Sequence, residues 1–301
     1  MNPPGRSDER SSRQSPQGAF ETSAPERASG WPAAVPMTLM LYALLLMVGG
    51  LSLAWNLIAM LLYPVLPQRT GQAIGRAAIA HIYRVFWSAS AALGMLRLDA
   101  GVLDALRQER GLIVVANHPS LLDALILVAR LPRSACIMKA SLMRNVFLGA
   151  GARLARYVSN KAPLTMVRLA VRDLKQGGQL VMFPEGTRTT TAPLNAFLPG
   201  VTLIAKLAKV PIQTVFIDTS SSYAGKGWPL WKLPPLPVVF SVRLGERFAP
   251  SADADALLRE LELYYRQGLE SPVTTPEPTA TTCSPTAPDP HDAAAPDPTG
   301  H

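Results

Sequence analysis

The feature that most constrains this chain is a long stretch without charge near its amino end. Residues 28–68 contain no Asp, Glu, Lys or Arg, and the apolar part, residues 37–63, is 27 residues long. A helix needs about 20 apolar residues to cross a bilayer, whereas the apolar region of a signal peptide has about 7–15. We therefore predict a membrane-binding helical segment over residues 37–96. A spanning helix and two short helices in one leaflet, separated at the glycine pair 49–50, both fit.

Charge on the two sides of this segment indicates its orientation and its partners. Residues 1–36 hold four Arg and four acidic residues, and residues 271–301 hold four acidic residues and no basic one, which leaves 25 basic and 13 acidic residues between them. Arg69, Arg76 and Arg84 follow the apolar stretch with no acidic residue before Asp99. By the positive-inside tendency, we expect the protein at the cell (inner) membrane with its catalytic domain on the cytoplasmic face.

The excess of basic charge fits an anionic partner such as membrane lipids or a phosphorylated substrate. A DNA-binding helix motif, a zinc finger and an aromatic RNA-reading strand are all missing from the sequence, so no nucleic-acid partner is expected. Two Cys and four His exclude a disulfide framework and leave little for a metal site, so we predict no metal. The tails, residues 1–36 and 271–301, lack apolar periodicity and are predicted to be disordered.

Two parts of the remaining chain predict the fold. Residues 72–96 have helical apolar periodicity, with Arg76 and Arg84 on another, polar side, which suits either an interfacial amphipathic helix or a helix packed on a core. Residues 97–270 alternate short β-like runs with helical patterns, which is typical of a single α/β domain with a largely parallel or mixed sheet and flanking helices. The predicted strands are 112–116, 135–138, 157–159, 180–183, 212–217 and 238–244. The predicted helices are 102–108, 121–131, 163–176, 201–208 and 254–267.

The first candidate for chemistry follows the strand at 112–116 and reads Asn117-His118-Pro-Ser-Leu-Leu-Asp123. Residues five apart do not meet inside one helix, but Pro119 pushes His118 out of the helical region. The Asp123 carboxylate then reaches back to one imidazole nitrogen and leaves the other as a base near neutral pH. The alternative is a histidine that merely completes hydrogen bonding at a helix end.

The second candidate follows the strand at 180–183 and reads Phe183-Pro-Glu185-Gly186-Thr187-Arg188-Thr. A guanidinium grips phosphate in a bidentate manner, and hydroxyl and backbone N–H groups of the turn complete an anion site. Glu185 is predicted to orient Arg188 or to accept from a substrate hydroxyl. The alternative is a polar turn with an internal Glu–Arg ion pair. Ligands of open α/β sheets collect beyond the carboxyl ends of strands, where both candidates lie.

These two motifs in this order, with Val210-Pro211-Ile212 as a later block, resemble the glycerolipid acyltransferase superfamily, whose best-known members are the 1-acylglycerol-3-phosphate acyltransferases. The resemblance covers roughly residues 110–220. It implies an N-terminal membrane-binding element before an α/β domain. It also implies acyl transfer from an acyl-carrier protein or coenzyme A thioester to the hydroxyl of a lyso-lipid, with no cofactor.

By that resemblance, His118 is the general base and Asp123 its partner, and the acceptor phosphate is held by the second motif. Backbone N–H groups near Leu121 are expected to hold the oxyanion of the tetrahedral intermediate. The substrate-binding residues expected in this way are Asn117, Glu185, Gly186, Thr187 and Arg188.

One block departs from the family. It usually reads Gly-x-x-Phe-x-x-Arg, whereas residues 154–160 here place Tyr157 at the aromatic position and Asn160 at the arginine position. Arg156 or Lys161 is expected to compensate in binding substrate. Relatives with a weakened block accompany aryl polyene and ornithine lipid pathways, so another lipid acceptor is a second hypothesis. A non-catalytic protein that binds anionic lipid and a thioester hydrolase are the third and fourth.

Overall fold

The computed structural model of the protein describes residues 31–229 and 231–270. Within that part, two 3-10 turns, Gly101–Leu106 and Leu142–Arg144, accompany the regular elements. The helices are α1 (Trp31–Leu62), α2 (Gln68–Ala92), α3 (Asp123–Arg130), α4 (Gly149–Leu154), α5 (Pro163–Lys175), α6 (Gly200–Ala208) and α7 (Ala254–Glu270). The strands are β1 (Leu96–Asp99), β2 (Leu112–Ala116), β3 (Ser134–Met138), β4 (Val158–Ser159), β5 (Gln179–Met182), β6 (Ile212–Thr219) and β7 (Val238–Phe248).

The described strands form one mixed sheet of seven, in the order β1-β7-β6-β2-β5-β3-β4. From β6 to β4 every pairing is parallel, β7 is antiparallel to β6, and β1 is parallel to β7. Every residue of β2 and β5 is buried, because central parallel strands are covered on both faces and therefore read as continuous apolar runs. The predicted fold class is confirmed.

Helices cover both faces of the sheet. Trp87 of α2 packs edge-to-face on Phe240 of β7, and Tyr265 of α7 packs on Phe216 of β6. Phe216 is paired with Arg243 in the β6–β7 register, so Phe216 and Phe240 point to opposite faces. Consequently α2 and α7 lie on opposite sides of the sheet and enclose the core between them.

The membrane-binding prediction falls on α1. Residues 35–62 are long and apolar enough to cross a membrane, and most of this helix is uncovered; Leu46 and Leu61 are 76% and 70% exposed. Its buried side, including Leu41 and Leu44, packs on the α/β domain. The helix begins at Trp31, before the predicted boundary at residue 36. Residues 1–30 and 271–301, which contain most of both predicted tails, lie outside the described residues.

For residues 72–96 the structure supports the second of the two readings, since α2 packs against α1, α3 and α4. Gly75 allows this close approach, because a Cβ there would lie 2.6 Å from the Ala155 nitrogen. The sequence places Arg76 on a polar side of the helix, and that expectation is wrong. Arg76 is buried and forms a 2.8 Å ion pair with Asp173 of α5.

The predicted strands and helices of residues 97–270 are present, with ends that differ by a few residues. Pro163 opens α5 in its first turn, and Gly177, with a φ of 81°, follows its end. The pattern at 102–108 is a 3-10 turn rather than an α-helix. The strand β1 and the short helix α4 were not predicted, because four and six residues carry too little periodicity to be recognised.

Candidate active site

Two loops meet at the carboxyl ends of the neighbouring parallel strands β2 and β5. The backbone N–H of His118 donates to Glu185 Oε1 at 3.0 Å, although the two residues are 67 apart in the chain. In return, the backbone N–H of Thr189 donates to the His118 carbonyl at 2.8 Å. The two sequence motifs are therefore one cluster, as expected where parallel strands end at a common edge.

The imidazole of His118 contacts Asp123 as the spacing predicts. Its Nδ1 lies 2.9 Å from Asp123 Oδ2, and the backbone N–H of Ser120 donates to the same oxygen at 2.7 Å. Asp123 is the first residue of α3, so His118 lies in the turn before the helix. With a carboxylate facing Nδ1, the ring proton belongs there and Nε2 keeps its lone pair. Phe183 stacks on the ring with centroids 4.0 Å apart.

Asp123 is completely buried, and this burial raises the pKa of its carboxyl to about 6, against the opposing effect of the hydrogen bond with His118. Its second oxygen, Oδ1, has no partner among the described residues. An ionised carboxylate with so little solvation is stabilised when the imidazole beside it gains a proton. The pair is therefore suited to proton transfer at Nε2.

Glu185 has a different role from the one predicted. It does not contact Arg188; its buried carboxylate accepts from the His118 N–H, the Thr189 hydroxyl and the Asn195 N–H, all within 3.0 Å. These bonds tie the loop after β5 to the turn after β2. The carboxylate is thus occupied by protein donors and positions the loop instead of binding substrate directly.

The rest of the second motif forms an open turn. Gly186 has a φ of 68°, in the left-handed region that favours glycine. Gly186 and Thr187 are exposed, and the N–H groups of Thr187 and Arg188 donate to no acceptor within the described residues. Arg188 is half-buried, and its Nη1 donates to the carbonyls of Ala224 and Gly225 at 2.8 and 2.9 Å. The turn therefore has donors available for an anion, but one edge of the guanidinium is already used.

Several hydrogen-bond donors and acceptors near His118 are paired within the protein. The side-chain amide of Asn117 is paired twice with the Ile217 backbone, at 2.8 and 2.9 Å, and so joins β2 to β6. The N–H of Leu121 donates to the Ala224 carbonyl and that of Leu122 to the Ser120 hydroxyl. Because these N–H groups donate to acceptors inside the protein, they are not available to an oxyanion.

The two residues expected to compensate for Asn160 lie at different edges of the sheet. Arg156 precedes β4 and rests on the ring of Tyr63, 5.4 Å from its centroid, near the amino ends of the strands. It is therefore on the opposite side from His118, and the expectation for Arg156 is wrong. Lys161 is exposed and follows β4 at the correct edge. Three strand spacings of about 4.8 Å separate β4 from β2.

The loop between β6 and β7, residues 220–237, completes the surroundings of His118, and the two motifs did not predict this. Together with α1, α2 and α3 this loop closes an apolar cavity of about 180 Å³. The cavity reaches Leu121 and Leu122 of the turn between β2 and α3, residues 117–122, which we call the catalytic turn. Tyr223, Pro234 and Leu236 are the loop's contribution to that cavity. A run of aromatic residues and prolines at 228–235 was the available sequence signal. No group of three His, Cys, Asp or Glu suited to a metal occurs in the described ranges.

Comparison with known proteins agrees with this geometry. Residues 99–218 match a family model described as Acyltransferase. A 1-acyl-sn-glycerol-3-phosphate acyltransferase beta from Homo sapiens is 31% identical over 135 residues, which are 42% of this chain and 49% of that protein. A 1-acyl-sn-glycerol-3-phosphate acyltransferase from Pseudomonas aeruginosa is 23% identical over 61% of this chain and 72% of that one.

A solved structure shows the same fold. The 1-acyl-sn-glycerophosphate acyltransferase PlsC from Thermotoga maritima superposes with a TM-score of 0.59 at 19% identity, over 79% of this chain and 95% of that one. This chain spans about half the length of the human relative. Residues 99–218, which contain both motifs, are therefore similar to acyltransferases, and the fold around them is the fold of PlsC.

Proposed function

We propose that this protein transfers a fatty acyl group from a thioester donor, acyl-coenzyme A or acyl-carrier protein, to the hydroxyl of 1-acylglycerol-3-phosphate at a membrane. The observation that carries the proposal is the His118–Asp123 pair, 2.9 Å apart, in contact with the loop of Glu185 and beside an apolar cavity. The names of the relatives support the acceptor and the reaction class.

The proposed reaction is a direct transfer. The lone pair of His118 Nε2 takes the acceptor hydroxyl proton while the oxygen attacks the thioester carbonyl. The tetrahedral intermediate collapses, the C–S bond breaks, and the imidazolium returns the proton to the departing thiolate. Asp123 stabilises the imidazolium between these steps. No enzyme nucleophile is needed, because holding both substrates at one base supplies the proximity.

The apolar cavity and α1 support a lipid substrate. Leu41, Leu44 and Leu45 of α1 form one wall of the cavity, and the opposite wall includes Leu121 and Leu122 of the catalytic turn. A fatty chain in this cavity would lie between α1 and the turn that carries His118. We therefore place the protein at the cell (inner) membrane, with the catalytic edge on the cytoplasmic face, and take membrane lipids as its surroundings.

A second acceptor class is favoured by one observation. Asn160 stands at the family's arginine position and uses its Oδ1 to accept the Ala140 N–H, while Arg156 lies at the opposite edge. This edge of the site therefore lacks the expected guanidinium. Acyl transfer to a lipid without a glycerol phosphate, of the aryl polyene or ornithine lipid type, is the second candidate function.

The test is an acceptor panel. Purified protein in mixed micelles receives acyl-coenzyme A or acyl-carrier protein together with 1-acylglycerol-3-phosphate, 1-acylglycerol or lyso-ornithine lipid, and products are read by mass spectrometry. Phosphatidic acid as the main product supports the first function, whereas products from acceptors without phosphate alone support the second. Free fatty acid without any acylated acceptor indicates a hydrolase. A His118→Ala variant that binds anionic vesicles and keeps wild-type product formation would overturn both proposed functions.

A further inference from the structure

A second cleft, distinct from the apolar cavity, also borders the turn after β2. It has a volume of about 410 Å³ and is bordered by Pro119 of the catalytic turn and Thr189 of the loop after β5. The β6–β7 loop contributes Lys226, Trp228 and Lys232. None of the described residues that line the cleft is acidic, and the sequence between Asp218 and Glu246 contains no acidic residue. The cleft is therefore positive, and it borders the turn that carries His118 through the next residue, Pro119.

Hydrogen bonds from both catalytic loops hold the β6–β7 loop in place. The Ser120 hydroxyl donates to the Tyr223 carbonyl at 3.1 Å, and the Leu121 N–H donates to the Ala224 carbonyl at 2.9 Å. Arg188 donates to the carbonyls of Ala224 and Gly225. The lysines that follow are thus carried on a segment whose position is fixed relative to the imidazole.

Trp228 positions one of the two lysines. Its indole Nε1 donates to the Lys232 carbonyl at 3.2 Å, and the Lys232 Nζ lies 4.8 Å from the centre of the indole ring. The indole in turn packs edge-to-face on Tyr223. Lys226 and Lys232 are exposed, and neither forms an ion pair with a carboxylate in the described part of the chain. Their ammonium charges are therefore available to a ligand in the cleft.

One loop thus separates two environments. Tyr223, Pro234 and Leu236 face the apolar cavity, while Lys226 and Lys232 line the basic cleft, and the turn after β2 contributes residues to both. This arrangement fits an amphiphile whose fatty chain and phosphate lie on opposite sides of the reacting carbon. It also supplies positive charge on the β6 side of His118, whereas Asn160 leaves the β4 side without the usual arginine.

We propose that Lys226 and Lys232 form a phosphate-binding subsite for a substrate of the acyl transfer, with Trp228 as a positioning residue. The inference rests on the proposed function. A lysine ammonium recognises phosphate as a point charge with three donors. Two sources share this chemistry, namely the glycerol phosphate of the acceptor and the phosphates of the coenzyme A or carrier-protein arm, and the experiment separates them.

The test compares a Lys226→Gln/Lys232→Gln double variant with Lys226→Arg/Lys232→Arg and with Lys175→Gln, which removes one exposed charge at the far end of α5. Each change is placed in the His118→Ala background for equilibrium dialysis in detergent, so that no turnover occurs. The probes are coenzyme A against pantetheine, and a short-chain 1-acylglycerol-3-phosphate against the matching 1-acylglycerol. The KM values of donor and acceptor are measured in parallel with His118 present.

We expect the Gln pair to weaken binding of one phosphate-bearing probe, and to raise the corresponding KM, by about tenfold or more. The phosphate-free counterpart should bind as before, and the Arg pair and Lys175→Gln should resemble the parent. The affected probe identifies the source. Equal binding of both phosphate-bearing probes to the Gln pair and the parent, within twofold, overturns the inference even if the wild type transfers acyl groups. If the Gln pair weakens binding of a phosphate-bearing probe but the wild type transfers no acyl group, the proposed function is wrong and Lys226 and Lys232 still bind phosphate.

Discussion

The two edges of the sheet each hold an aspartate paired with a basic side chain, yet the pairs differ in whether the basic side chain keeps a nitrogen without a protein partner. At the amino edge, Arg76 donates from all three of its nitrogens, to Ala155, Arg133 and Asp173, at 2.8–3.0 Å. At the carboxyl edge, His118 uses Nδ1 on Asp123, and its Nε2 has no hydrogen-bond partner in the described part of the chain.

The difference shows that burial of charge does not by itself mark an active site. The Arg76–Asp173 pair joins α2 to α5, and each nitrogen of its guanidinium already donates to a protein acceptor, so its effect is on the attachment of the helices to the domain. The His118–Asp123 pair leaves the basic nitrogen Nε2 without a protein partner in the described residues, on a turn that borders both cavities. The matched replacements Asp123→Asn and Asp173→Asn therefore probe the same chemical change at the two edges.

The largest effect is expected for Asp123→Asn. Removing the carboxylate takes away the group that orients the His118 ring and stabilises the imidazolium, so kcat should fall by about 10²–10⁴-fold. The KM for the acyl donor should change little. Initial rates with saturating donor and acceptor measure this effect, and a variant that keeps more than a tenth of the wild-type kcat contradicts the assigned role.

Asp173→Asn should instead lower stability. The Arg76 charge would stay buried without a counter-charge, which costs about 3 kcal/mol in the free energy of unfolding. Activity per folded molecule should stay near that of the wild type. Denaturant unfolding followed by circular dichroism, alongside rates normalised to folded protein, tests the contrast. If Asp173→Asn lost activity while its stability stayed unchanged, the structural role assigned to the Arg76–Asp173 pair would be wrong.

Glu185→Gln should give an intermediate result at the catalytic edge. An amide cannot accept from the His118 N–H, the Thr189 hydroxyl and the Asn195 N–H as the carboxylate does. We expect stability to fall by about 1–3 kcal/mol and kcat to fall about tenfold as the loop loosens. Unfolding curves and rates measure both, and Glu246→Gln, at an exposed position of β7, is the control. A kcat decrease as large as that of Asp123→Asn, without loss of stability, would indicate direct contact with substrate.

The smallest effect is a pH dependence. Burial raises the pKa of the Asp123 carboxyl to about 6. As the pH falls through about 6 this carboxylate takes up a proton and no longer stabilises an imidazolium at His118, so kcat/KM should drop by about tenfold for each further pH unit. A pH–rate profile from 5 to 8 with circular dichroism as a folding control tests this. A flat profile over that range contradicts proton uptake by Asp123.

The sequence was most informative where structure depends on neighbouring residues. The range of β2 was predicted to the residue, and the contact between His118 and Asp123 followed from Pro119 in the turn between them. The prediction failed for Arg76, Glu185 and Arg156. Arg76 contacts a residue 79 positions away, Glu185 one that is 67 positions away and Arg156 one that is 93 positions away. No local sequence pattern reveals partners at such separations.

By itself the sequence determined the apolar helix, the alternation of strands and helices and the two motifs, because apolar spacing, proline and glycine act within a few residues along the chain. Tertiary structure alone decided the sheet order, with β7 antiparallel to its neighbour. It also decided which charged side chains are paired within the protein. The position of the β6–β7 loop, which lines both an apolar cavity and a basic cleft, was likewise decided by the tertiary structure. The physical reason is that a buried polar group must pair with whichever polar group the fold brings next to it. That group is often far away along the chain, so local sequence patterns do not identify it.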